Sequence, residues 1–124
     1  MGKLYELLGG EAAVQAATIG FYEKVMADPS LAPYFRGLHM DAQVKKFIAF
    51  MTMALGGPHS YTGRDLRSAH QRLVNDGLGE PHFDAILVHL EQTLTELGID
   101  PDLIEQTIEL VASTHGDVLC LPQG

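Results

Sequence analysis

From Phe83 to Val118 the apolar residues recur every three or four positions, and that pattern leaves little choice of fold. Phe83, Ile86, Leu87, Leu90, Leu94 and Leu97 lie on one helical face, opened by Pro81 and closed by Gly98. Asp100-Pro101 restarts the chain as an N-cap followed by proline at the first helical position. Ile104, Ile108, Val111, His115 and Val118 then step by four, three, four and three, which predicts a second helix running on to Val118.

The rest of the chain follows the same rule. Val14, Thr18, Phe21 with Tyr22, and Val25 mark a helix over 11–27 that stops at Asp28-Pro29. Asp28 can cap a short helix that has Pro29 in its first turn. Met40, Val44, Phe47 with Ile48, Met51 and Leu55 mark another over 40–55, ended by Gly56-Gly57-Pro58. A short helix over 64–74 carries Leu66, Ala69, His70 and Leu73. No run of β-branched or aromatic residues at period two is long enough for a strand. The expectation is an all-α chain, a single domain over 1–124 with 121–124 as a frayed tail.

Composition narrows the function classes. With 46% apolar residues the chain can build a core, and no apolar run approaches the ~20 residues that cross a bilayer. The net charge of −8, from 16 acidic and 8 scattered basic side chains, argues against a phosphate-backbone partner, so no nucleic acid and no membrane are expected. One cysteine, Cys120, permits neither an internal disulfide nor a thiolate metal cage. The start, MGKLYELLGG, lacks a basic-then-apolar signal pattern, and a cytoplasmic location is expected.

Two places carry more than packing demands. Gln43, Lys46, Phe47 and Phe50 sit at i, i+3, i+4 and i+7, a face beside the core stripe of the 40–55 helix. They read either as the wall of a site for a flat apolar ligand with a polar centre or as a solvated edge beside core phenylalanines. His70 lies on the apolar face of its helix, between Leu66 and Leu73. It reads either as a hydrogen-bonded core histidine or as a ligand offering a neutral ring nitrogen to a metal. No spacing typical of zinc or di-iron sites occurs, but a lone helical histidine facing an apolar slot meets the one protein requirement of a haem site.

The segments LYELLGGEAAV, FYEKVMADPSLAPYF, HMDAQVKKFIAFMTMALGGP, YTGRDLRSAHQRL and PHFDAI, in this order, resemble the group I truncated haemoglobins over nearly the whole chain. The resemblance implies a two-over-two helical sandwich around haem b, with a shortened N-terminal helix. It implies His70 as proximal iron ligand, Tyr22 as distal hydrogen-bond donor, Gln43 as second distal polar group and Phe35 as the haem-packing phenylalanine. Gly9-Gly10 and Gly56-Gly57 match the family's helix-joining glycines. Many members carry a glutamine where Phe47 stands, so Tyr22 and Gln43 are left to supply the distal polarity.

Some members place an iron-binding histidine or lysine at the position of Lys46. The two readings of Lys46, a distal iron ligand or a cation that reaches solvent or a propionate, are both kept. His115 precedes Asp117-Val118-Leu119 much as a histidine in certain members precedes a similar stretch and bonds a haem vinyl; the spacing here is one residue shorter. A neutral core histidine or a helix-end group is the other reading of His115.

On this basis the haem pocket is expected from Phe35, Phe47, Phe50, Leu55, Leu66, Leu73, Phe83, Ile86, Leu90 and Val118. Tyr61, Arg64, Arg67 and Lys45 are candidate propionate partners. The implied function is reversible binding of O2 and related diatomic ligands such as NO and CO, with NO dioxygenation as a candidate activity that needs an external reductase. The alternative is a six-coordinate haem redox or sensor module with Lys46 on the iron. A monomer is expected.

Overall fold

A computed structural model describes residues 3–35, 39–56, 63–75 and 77–120. Its helices are α1 (Lys3–Leu8), α2 (Gly10–Ala27), α3 (Met40–Ala54), α4 (Gly63–Asn75), α5 (Glu80–Glu96), α6 (Pro101–Ala112) and α7 (His115–Val118). A turn of 3-10 helix over Ala32–Phe35 lies between α2 and α3. Among the described residues there is no strand, and no helix is long and apolar enough to cross a membrane.

Local chemistry sets the boundaries. Gly9 and Gly10 break α1 from α2 at φ +116° and +67°, left-handed values that strain any residue with a Cβ. Asp28 ends α2: its Oδ1 accepts from the Ser30 amide at 2.9 Å and the Ser30 hydroxyl at 2.8 Å. Its Oδ2 lies 2.7 Å from Nε2 of His89 on α5. Asp100 caps α6 as its position predicts, accepting from the Asp102 amide at 2.9 Å.

The stripe read as one helix from 101 to 118 is broken. α6 ends at Ala112, and a separate turn, α7, follows. The Ser113 hydroxyl donates to the Leu110 carbonyl, and the Thr114 hydroxyl to the Val111 carbonyl at 2.6 Å. These side chains compete with backbone amides for the carbonyls that would continue the helix. Apolar spacing alone does not register that competition.

The layers are two helix pairs, α2 with α3 and α5 with α6, joined where α2 packs on α5, while α4 packs on α7. Phe21, Val25, Leu31 and Leu90 are fully buried at the centre. Gly20 sets the α2–α5 spacing: a Cβ there would stand 2.8 Å from the Thr93 methyl. Thr18, Thr93 and Thr107 are buried without polar debt, because each hydroxyl donates to the carbonyl four residues back at 2.7–2.8 Å.

Candidate functional site

Between the layers lies a cleft of about 890 Å³, counting the open space at its mouth. Its aromatic lining is interlocked. Phe47 stacks on Phe21 at 4.5 Å with the rings 6° from parallel. Tyr22 meets Phe47 and Phe35 edge-on at 5.6 and 5.7 Å, and Phe50 lies 5.8 Å from Phe47. Such contacts hold each ring against the next and leave the slot preformed.

Few polar groups enter this wall. Tyr22 is buried on α2, and its hydroxyl donates to the main-chain oxygen of Gln43 on α3 at 3.4 Å. Gln43 and Lys46 line the cleft from α3, Gln43 half-buried and Lys46 largely exposed at the rim. His70, half-buried on α4, is the one histidine among the described residues that line the cleft. Among the described residues no group of three or more His, Cys, Asp or Glu side chains could hold a metal ion by itself.

The structure brings together Tyr22, Phe35, Gln43, Lys46, Phe47, Phe50, His70, Leu73, Phe83, Ile86 and Val118 around this one cleft. The Gln43–Lys46–Phe47–Phe50 face lies along this cleft. Leu55 and Leu90, expected in the wall, are core residues instead, 3% and 0% exposed. Each sits one or more helical turns beyond a wall phenylalanine, Leu55 beyond Phe50 and Leu90 beyond Phe83, where the face turns into the packed layers.

Arg67, expected at a propionate, has its Nε 2.7 Å from Asp117 Oδ1 and so ties α4 to α7. Lys45 is exposed on α3. Tyr61 and the side chains of Arg64 and Leu66 lie outside the described residues, as does Gly57. His115 opens α7, with Nε2 at 3.0 Å from Glu80 Oε1 and its ring edge-on to Phe83 at 5.2 Å. It is not among the lining residues, whereas its neighbours Thr114 and Val118 are.

Phe21, Leu31, Tyr34, Leu78, Val111 and Thr114 also line the cleft and were not expected there. Val111, Thr114 and Val118 are spaced three and four apart, a signal present in the sequence. Phe21, on the apolar stripe of the 11–27 helix, is buried in the core and also lines the cleft. Leu31, Tyr34 and Leu78 sit outside the α-helices, where no periodicity marks them.

The residues fit a haem. A flat porphyrin needs an apolar slot, one neutral imidazole for its iron and a donor for a bound ligand. The cleft offers stacked aromatic walls, the His70 imidazole, the Tyr22 phenol and the Gln43 amide. No second protein ligand is required, since the macrocycle supplies four.

Comparison with known proteins agrees. Residues 3–120 match the bacterial-like globin family. A group 1 truncated hemoglobin of Chlamydomonas moewusii is 43% identical over 97% of this chain and 70% of its own length. One from Tetrahymena pyriformis is 40% identical over 94% of this chain and 93% of its own. The crystal structure of the 2/2 hemoglobin from Synechococcus sp. PCC 7002, in the cyanomet state with covalently attached heme, superposes with a TM-score of 0.88 at 44% identity, covering 94% of this chain and 98% of that one. On the match of family, relatives and fold, this chain belongs to the bacterial-like globins, a haem-binding family, and within them to the group 1 truncated haemoglobins.

Proposed function

We propose that the cleft holds haem b with His70 as the proximal iron ligand, and that the protein binds O2 and related diatomic ligands reversibly. One observation supports this reading above the others: the His70 imidazole shares an apolar cleft with the Tyr22 hydroxyl and Gln43. Haem held there would supply a ferrous iron for O2, CO or NO and, with O2 and NO together, chemistry that converts NO to nitrate at the cost of one electron from an external reductase.

The chain's own contribution is binding and polarity. Phe35, Phe47, Phe50 and Phe83 bury the macrocycle, which stabilises the native state that alone can bind it. The bond from Tyr22 to the Gln43 carbonyl is long, and a phenol that turns from it donates to partial negative charge on a bound ligand. A charge-assisted bond of that kind contributes about 1.5–3 kcal/mol. It slows O2 release and gives NO time to arrive. Stopped-flow mixing of the oxy form with NO tests the activity: stoichiometric nitrate supports it, and simple displacement without nitrate removes it.

Lys46 supports a second reading, because it lines the same cleft from α3. A coordinating lysine must be a neutral amine, so coordination strengthens as pH rises. The exposed position of Lys46 favours a solvated cation at the rim and an open sixth position. A high-spin ferric spectrum at neutral and mildly alkaline pH is the expected result. A low-spin spectrum that Lys46→Ala converts to high-spin would establish the six-coordinate module instead. His115, turned to Glu80, is proposed as a structural residue, and haem should extract cleanly into acidified solvent.

A further inference from the structure

Tyr34 lines the cleft from the 3-10 turn, and its hydroxyl lies 3.4 Å from Nε2 of His82 on α5. The two rings meet edge-on, 5.1 Å apart and 75° from parallel. The other ring nitrogen of His82, Nδ1, accepts from the Gly79 amide at 3.0 Å. A nitrogen that accepts carries no hydrogen, so the neutral ring has its hydrogen on Nε2. Nε2–H therefore donates to the Tyr34 oxygen. His82 is engaged at both ends, one nitrogen on the start of α5 and the other on the 3-10 turn.

This pair bridges two walls. Phe35, next to Tyr34, and Phe83, next to His82, both line the cleft. Phe35 also meets the Tyr22 ring. Parting of the cleft walls eases the release of a rigid flat cofactor. Separating the 3-10 turn from α5 breaks the hydrogen bond and the edge contact together, and that loss falls on the barrier to escape.

We propose that Tyr34 and His82 form a clasp across the cleft that slows the loss of haem once it is bound, an inference that rests on the haem reading above. They are positioning residues: neither is asked to touch iron or ligand.

The test is transfer of haem from the ferric holoprotein to excess apomyoglobin, followed in the Soret band. Tyr34→Phe keeps the ring in the wall and removes only the hydroxyl. His82→Asn leaves a side-chain oxygen for the Gly79 amide but is too short for Tyr34. Each variant should release haem about three- to tenfold faster, the effect of losing one neutral hydrogen bond. The double variant should release it no faster than the quicker single one, because both remove the same bond. Nitrogen NMR of the holoprotein should show His82 protonated at Nε2, with that signal moving in Tyr34→Phe. Wild-type rates in the single variants, multiplied effects in the double, or an Nδ1–H ring would overturn the clasp alone. A wild-type chain that takes up no haem overturns the haem reading, and the clasp with it.

Discussion

The Tyr22 hydroxyl reaches across from α2 to the main-chain oxygen of Gln43, a carbonyl within α3, at 3.4 Å. Both residues stand in the cleft wall, so this long bond links the two helices that carry the proposed distal groups.

Tyr22→Phe therefore tests the distal role. Ring volume and its contacts with Phe35 and Phe47 survive, and only the hydroxyl is lost. The O2 dissociation rate, measured by ligand replacement, should rise about tenfold or more, since ~1.4 kcal/mol is a factor of ten. An unchanged rate would transfer the role to Gln43.

Gly20 is a packing prediction. Alanine there gains about 1 kcal/mol of helix propensity but drives a methyl against the buried Thr93, whose hydroxyl is held by the His89 carbonyl. Overpacking of this kind costs about 1–3 kcal/mol, so the substitution should be neutral to destabilising by up to ~2 kcal/mol. Adding Thr93→Ser removes the opposing methyl and keeps the hydroxyl bond. The double variant should then be more stable than Gly20→Ala alone, as denaturant unfolding would show; equal stability would mean the two helices part freely.

Asp28 gives a pH dependence. The hydrogen bond with His89, followed by those from the Ser30 hydroxyl and amide, lowers its pKa from 3.8 to about 2. A carboxylate with a depressed folded-state pKa stabilises the fold above its unfolded value and loses that contribution as pH falls through the folded one. The melting temperature of Asp28→Asn should therefore lie below that of the wild type at neutral pH. The gap should narrow between about pH 4 and pH 2. A gap that stays constant down to pH 2 would mean the Asp28 contacts are not linked to its charge.

How legible the molecule is in its sequence depends on how local each cause is. α2, α3, α5 and the start of α6 are marked by apolar spacing and by Asp28, Pro81, Gly98 and Asp100, all of which act within a turn or two. The break at Ser113–Thr114 is also local, but its cause is a hydroxyl competing for a carbonyl, which hydrophobic spacing ignores. Arg67 illustrates the long-range case. Its partner Asp117 is fifty residues away and adjoins it only once α4 packs on α7. The same holds for Tyr34 and His82, two residues on non-periodic or capping positions that meet only in the folded chain.

His70 is the proposed iron ligand of this cleft. Apoprotein should take up haem at one equivalent with a sharp Soret band, and reduction should give a ferrous spectrum typical of an imidazole ligand. His70→Gly should lose tight binding while leaving the helices folded by circular dichroism, and added free imidazole should restore much of the ferrous spectrum by occupying the vacated position. A His70→Gly protein that keeps haem tightly, with the wild-type ferrous spectrum and no response to imidazole, would contradict the assignment and the proposed function built on it.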